Sequence, residues 1–503
     1  MSEHRIVIVG SGFAGLGMAI GLKRADIEDF VILERADDLG GTWRDNTYPG
    51  CACDIPSNLY SFSFAPNPHW TRFFAGQPEI LAYLRGCAER YGITPHLRYG
   101  HELLEARWDP PTDRWHLETS RGPVIAQVLI AGMGPLSEPA RPALTGLESF
   151  AGPVFHSAVW DHTHDLTGRR VAVVGTGASS IQIVPRIAPQ VEQLYVFQRT
   201  APWIVPRPDR PVTPTEARLF RTVPGAQAVR RAASYSIREL TGAGLRGNPR
   251  LLARISKLAA SHLARQVADP ELRARLTPDY TIGCKRILIS SDFYPALQRG
   301  NVELATSRIA CVRPDAVVTE DGAERPVDTL ILATGFHVAD LPAGRRLRGR
   351  DGRLMSEVWE GSSQAYLGTA VAGFPNLFLL VGPNTGLGHN SLVYMIESQI
   401  AYVVAGLRAM ARAGVSVVDL RPEVQDAYNR RVQADMAGTV WTAGGCASWY
   451  LDSAGRNTTL WPGSTWAFRR QTRRFRLADY TTGTPAPAVN GSSVRGTGCA
   501  RPS

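Results

Sequence analysis

A strand, a glycine turn and a helix recur at Arg5 to Leu22 and at Arg170 to Ile187, in a chain whose 503 residues exceed what one hydrophobic core organises. Downstream of the second copy lies a long Arg/Ala/Leu stretch at helical spacing. Together these predict an α/β fold of two nucleotide-binding units, the second carrying a helical insertion. Hydrophobic residues at 44% and charged residues at 20% exclude a disordered or fibrous chain. No apolar run reaches the roughly 18 residues of a membrane span. The strand entered at Ile6 leaves no room for a cleavable presequence, so a cytoplasmic protein with no membrane partner is expected.

The first unit reads IVIVG-S-G-F-A-G, with Gly10, Gly12 and Gly15 in G-x-G-x-x-G spacing between a β-branched strand and an Ala/Leu/Ile-rich helix. Unpaired amides at such a helix start favour a pyrophosphate. The next strand, Phe30 to Leu33, ends in Glu34, which stands 24 residues after Gly10, where a carboxylate accepts hydrogen bonds from ribose hydroxyls.

The second unit reads VAVVG-T-G-A-S-S, with Gly175, Gly177 and, in place of a third glycine, Ser180. Its next strand, Gln193 to Phe197, runs into Gln198, Arg199 and Thr200, and Arg199 again stands 24 residues after the first glycine. An acid repels a ribose 2′-phosphate, whereas a guanidinium pairs with it through two bonds. The contrast makes both units Rossmann-like and assigns FAD to the first and NADPH to the second. The competing reading of Arg199 is a solvated surface arginine.

Residues from about 212 to 275 carry the helical insertion, and a strand at Val327 to Ala333 returns the chain to the second unit, ending in Ala-Thr-Gly-Phe. A further strand, Leu377 to Val381, enters the turn Gly382-Pro-Asn-Thr-Gly386, which could set a second helix N-terminus against an electron-rich ring. The expected division is a FAD-binding domain at 1–137 and 341–481, an NADPH-binding domain at 138–340, and a disordered tail at 482–503.

A net charge of +10 is spread along the chain, without basic runs interleaved with aromatics, which argues against nucleic acid and for steering of an anionic cofactor. Only Lys23, Lys257 and Lys285 are lysine. The run Arg469, Arg470, Arg473, Arg474, Arg476 reads as a solvated helical face. Seven cysteines, at 51, 53, 87, 284, 311, 446 and 499, are scattered and odd in number, so reduced thiols are expected. Cys51 and Cys53 read as buried free thiols, because no matching His/Cys set accompanies them, and no metal site is expected.

Before the second unit, Phe150, Gly152, His156, Trp160 and Asp161 form F-x-G-x-x-x-H-x-x-x-W-D. Alone, His156 and Trp160 would read as packing at i and i+4. Earlier, Gly41, Trp43, Tyr48, Pro49, Gly50 and Asp54 form G-x-W-x-x-x-x-Y-P-G-x-x-x-D. Both blocks resemble the type I Baeyer–Villiger monooxygenases, and with the glycine turns the resemblance spans most of residues 5 to 480. Flavin monooxygenases that hydroxylate nitrogen or sulfur share both units but typically carry Tyr or Phe where Trp160 stands.

The resemblance implies FAD, NADPH, molecular oxygen and a small-molecule ketone converted to an ester or lactone. In that chemistry a flavin C4a-peroxide must stay anionic to attack a carbonyl, which calls for a fixed positive charge. Arg286 is the candidate, since a guanidinium never deprotonates and can hold first the peroxide and then the adduct oxyanion. By resemblance, Asp54 orients and partly neutralises Arg286, Lys285 joins Arg199 and Thr200 at the 2′-phosphate, Trp43 is among the cofactor-binding residues, Trp449 lines the substrate and nicotinamide side, and the Phe150 to Asp161 block couples the domains. The alternatives are a nitrogen or sulfur hydroxylase on the same cofactors and, from another class, a basic binding protein.

Overall fold

The computed structural model describes residues 2–446 and 448–483. Strand β1 (Ser2–Val9) is buried through Ile6 to Val9, because it lies in the parallel part of a mixed sheet and is covered on both faces. It pairs in parallel with β2 (Phe30–Leu33) on one side and with Val124–Ala131 on the other. The sheet runs Leu347–Arg348, Leu103–Asp109, Arg114–Thr119, Val124–Ala131, β1, β2, Leu97–Arg98, and Leu377–Leu379 also pairs with Val124–Ala131. Helix α1 (Phe13–Lys23) is buried along most of its length between this sheet and a long helix near the C-terminal end.

A second sheet is wholly parallel and runs Val302–Ala305, β4 (Gln193–Phe197), β3 (Arg170–Val174), Thr329–Leu332, Val154–His156. Helix α2 (Ser180–Ile187) follows β3 and buries Ile181, Ile183, Val184 and Ile187 on its inner side. Both repeated units are therefore strand, glycine turn and helix, with the following strand laid parallel beside the first.

The insertion consists of α3 (Pro214–Thr222), α4 (Ala226–Leu245), α5 (Pro249–Gln266) and α6 (Pro270–Arg275). Thr213, Asn248 and Asp269 cap α3, α5 and α6, and a proline opens each of them, as its fixed φ and missing N–H favour. Helix α4 is inverted. Val229, Ile237 and Leu240 are 71%, 67% and 60% exposed, while its polar residues face the protein. Gln227 bonds the Asn58 side chain at 2.7 Å, and Arg231 donates to the carbonyls of Asn58 and Ser61 at 3.1 and 2.8 Å. What α4 covers is exposed backbone of the first unit, so guanidinium and amide donors belong on that side.

Helix α7 (Leu392–Ala413) begins six residues after the 382–386 turn, so that turn does not itself form a helix N-terminus; the first turns of α7 instead supply Val393 and Ile396 to a cleft. Helix α8 (Thr465–Thr472) lies further on; Arg469, Arg470, Arg473, Arg474 and Arg476 are exposed as expected, but only the first two stand on a helix, because α8 ends at Thr472.

Two further expectations are corrected. The thiols are not all reduced: Cys284 and Cys446 form a disulfide, while Cys51, Cys53, Cys87 and Cys311 are free. The pair is separated by 162 residues, a juxtaposition that only the tertiary fold creates. The tail does not begin at 482: Tyr480–Gly483 pairs antiparallel with Val417–Leu420, and Tyr480 is buried. The remainder of the expected tail, 484–503, lies outside the described residues.

Candidate active site

In the first unit Gly15 is obligatory, because a Cβ there would lie 1.8 Å from the Gly10 carbonyl oxygen. The helix start is thereby drawn onto the turn, and Gly12 faces Gly41 backbone to backbone. Gly10, Gly12, Glu34, Gly41, Trp43 and Met133 line one continuous cleft. Trp43 is buried and donates its indole N–H to Tyr60 at 3.1 Å. Glu34 is buried too. One oxygen accepts from the Ser11 amide (3.0 Å) and hydroxyl (2.6 Å), the other from the Ala36 amide (3.0 Å) and Arg44 (2.9 Å). A ribose would have to share lone pairs that the protein already engages.

In the second unit Ser180 stands fully buried where a third glycine would be, and its hydroxyl has no partner among the described residues. Arg199 is exposed at the end of β4. Lys285 lies beside it: burial and the Arg199 charge hold its ammonium below the usual lysine value. Two cations that repel each other mark a place suited to an anion. Thr200 is half-buried and accepts the Thr176 hydroxyl at its carbonyl.

The two sequence blocks that flank the units meet at their junction. Gly50, at φ +84°, packs so closely on α2 that a Cβ would lie 2.7 Å from the Gln182 carbonyl. Gln182 in turn takes the Tyr48 hydroxyl (3.1 Å) and donates to the Ala52 carbonyl (3.0 Å). Thr47 and His162 are 2.7 Å apart. Phe150 is buried, and Gly152 lies against the Asp328 carbonyl. His156 ends a strand rather than sitting on a helical turn; it is buried, faces Phe336 edge-on at 5.6 Å, and burial lowers its affinity for a proton. Trp160 packs edge-on against Phe155, and Asp161 closes a turn by accepting from the Thr163 amide and hydroxyl.

Asp54 and Arg286, 232 residues apart, form an ion pair at this junction. Both Nε (3.2 Å) and one terminal nitrogen (2.5 Å) reach the same Asp54 oxygen, and the other terminal nitrogen donates to the Leu387 carbonyl at 2.9 Å. Burial opposes the charge on Asp54, but the Arg286 guanidinium outweighs it and holds the carboxyl below its usual range. Asp54 correspondingly raises Arg286 well above the usual arginine value. The cation is thus permanent. Cys51 and Cys53 beside the pair are free; Cys53 is buried, Cys51 half-buried and pushed by burial to about 12.

Several residues here were not found by sequence reasoning. Arg238 of α4 donates to the Asp54 carbonyl at 3.1 Å, and Arg207 to the Cys53 carbonyl at 3.3 Å. Tyr450 is 1% exposed, its hydroxyl has no partner among the described residues, and burial pushes it up to about 12 while Arg286 draws it down. Trp449 is instead 47% exposed and packs on Tyr450. The Trp-Tyr pair was the available signal for Tyr450; nothing in the sequence marks Arg238 among so many arginines.

The first cleft, with a bare Gly12–Gly41 floor and a carboxylate at its end, fits FAD. The second turn, with an unpartnered Ser180 hydroxyl and the Arg199–Lys285 corner, fits NADPH. Two such turns in one chain are the mark of a two-dinucleotide oxidoreductase, and comparisons agree. Residues 7–242 match the pyridine nucleotide-disulphide oxidoreductase family. A Baeyer–Villiger monooxygenase of Streptomyces coelicolor is 50% identical over 98% of this chain and 95% of its own length. The closed crystal structure of cyclohexanone monooxygenase superposes with TM-score 0.85 at 28% identity, covering 96% of this chain and 100% of that one. The OTEMO complex with FAD and NADP gives TM-score 0.86 at 26% identity, covering 95% and 99%. The chain belongs to the Baeyer–Villiger monooxygenases.

Proposed function

We propose that this chain binds FAD at the Gly10 turn and NADPH at the Gly175 turn and uses molecular oxygen to insert one oxygen atom beside a ketone carbonyl, giving an ester or lactone. The two cofactors, when bound, supply the hydride and the activation of oxygen. The protein's part is electrostatic. Arg286 holds negative charge at the reacting centre and then on the carbonyl oxygen of the ketone adduct, where a preformed donor stabilises charge without reorganising. Asp54 and the Leu387 carbonyl fix its plane with three of the five guanidinium N–H groups, which leaves one N–H on each terminal nitrogen as a directed donor to the developing negative charge. Arg199, Thr200 and Lys285 take the 2′-phosphate, and the Phe150 to Asp161 block ties cofactor exchange to domain position.

The single observation that carries this reading is the Asp54–Arg286–Leu387 arrangement at the junction of the two units. It supports carbonyl over heteroatom oxidation, which needs no held anion. The test is a ketone panel in which NADPH consumption and ester product are measured together, beside thioether and amine substrates. Ester formed in step with NADPH use is expected; oxidation of thioethers or amines alone would transfer the chain to the hydroxylating branch.

A further inference from the structure

We infer that Glu239, on helix α4 of the insertion, is a positioning residue for Arg286, acting through the Leu387–Asn390 turn. The inference deepens the proposed reaction and rests on Arg286 holding negative charge there.

Arg286 has two partners, the Asp54 carboxylate and the Leu387 carbonyl. A backbone carbonyl anchors a guanidinium only while its own turn is held still. Two and three residues on, His389 and Asn390 are both buried and both reach one oxygen of Glu239, at 3.4 and 2.9 Å. The same oxygen accepts the Thr465 hydroxyl at 2.7 Å and faces the Thr465 amide at 3.4 Å, at the start of α8. A carboxylate only accepts, so Nε2 of His389 carries the hydrogen, and burial lowers the ring's affinity for a second proton.

The neighbouring residue of α4 closes the circuit. Arg238 donates to the Asp54 carbonyl at 3.1 Å. Consecutive residues of one helical turn therefore hold both partners of Arg286, Arg238 on the Asp54 backbone and Glu239 on the turn that presents Leu387. Close packing makes the arrangement stiff: a Cβ on Gly242 would lie 2.4 Å from the His389 ring. A simpler role, as counter-ion to Arg246, is weaker, since that contact is 4.0 Å. Burial pushes the Glu239 carboxyl up, but donors from His389, Thr465 and Asn390 hold it at about 2, so it is charged throughout the working pH range.

The test uses the full-length, FAD-loaded enzyme with Glu239→Ala, Glu239→Gln and Thr465→Val. Three quantities are read: product formed per NADPH consumed, the rate of flavin reduction by NADPH, and amide hydrogen exchange of residues 384–391 in the resting enzyme. Misplacing a charged group by a fraction of an ångström predicts product per NADPH about tenfold lower in Glu239→Ala, with flavin reduction within about twofold of wild type. The turn exchanges faster, Glu239→Gln recovers part of the yield because an acceptor oxygen remains, and Thr465→Val moves the same way to a smaller extent. Should Glu239→Ala fail to hold FAD, Thr465→Val alone carries the comparison. Wild-type product yield, or unchanged exchange in the turn, overturns the inference; so does an equal loss in reduction and yield with Gln no better than Ala, the pattern of general destabilisation. Arg286→Ala is assayed in parallel. Loss of ester there beside a wild-type Glu239→Ala defeats this inference alone, whereas ester from Arg286→Ala defeats the reading beneath it too.

Discussion

At the residue scale the chemistry narrows to one guanidinium. Arg286→Ala is expected to keep FAD and to oxidise NADPH while ester formation falls by a factor of about 100 to 1000, the usual effect of losing one preorganised donor. Product analysis beside hydrogen peroxide release checks it. Arg286→Lys should rescue poorly, because an ammonium cannot bridge one carboxylate and the Leu387 carbonyl from a planar fork. Arg199→Ala should erode the preference for NADPH over NADH more than turnover at saturating NADH, and Lys285 should retain part of it; an unchanged cofactor ratio removes Arg199 from the phosphate site. Asp54 and Arg286 were legible only through the family's pattern, since spacing alone does not pair residues 232 apart. Arg238 was not legible, because its role depends on which way a helix turns and no local signal records that, and the Trp-Tyr pair that points to Tyr450 says nothing of its burial beside Arg286.

At the element scale, legibility followed burial. β2 and β4 fall on Phe30–Leu33 and Gln193–Phe197 as read, because short apolar runs bounded by a polar residue leave little choice of register. Helix α4 has a clear helical period but faces opposite to its hydrophobicity, with Val229 and Ile237 outward and Arg231 and Arg238 inward. Period tells that a helix forms; what it lies against decides its face. Its Glu239 should leave a mark on stability. The folded carboxyl, at about 2, lies below the usual 4.5, so the native state binds fewer protons and gains stability above the unfolded value. That gain is lost as pH falls from 4.5 toward 2. Melting temperatures across this window should fall less steeply in Glu239→Gln than in wild type.

The Cys284–Cys446 bond belongs to the same scale, since it ties the segment bearing Lys285 and Arg286 to the loop bearing Trp449 and Tyr450. Alkylation without reductant followed by peptide mapping should recover these two cysteines as one linked peptide. Replacing both with Ser should lower the melting temperature, by a loss of about 2–4 kcal/mol typical of long closed loops. Recovery of both as alkylated thiols would return the pair to the reduced state that composition predicts.

For the whole molecule, the site exists only as a junction. The segment from Tyr48 to Asp54 belongs to the first unit, yet Gln182, Arg207, Arg238 and Arg286, all from the second, hold it. Chain length and the two glycine turns made the two-unit plan readable, and they were silent on this interlock, which forms through contacts of high sequence separation. The same distinction governs the C-terminal end. Tyr480 is buried, its hydroxyl lies 2.7 Å from that of Tyr402, and its ring stacks on Phe475 at 4.5 Å. Tyr402 lies on α7, whose first turns line the cleft proposed for FAD. A chain ended at Gly483 keeps every one of these contacts and should retain FAD, thermal stability and ester formation. A chain ended at Asp479 loses the strand beside Val417–Leu420 and empties the space under α7, so it should melt lower and bind FAD more weakly. Flavin content and melting temperature of the two truncations decide the point, and loss of flavin in the longer one would show that residues 484–503 contribute binding contacts of their own.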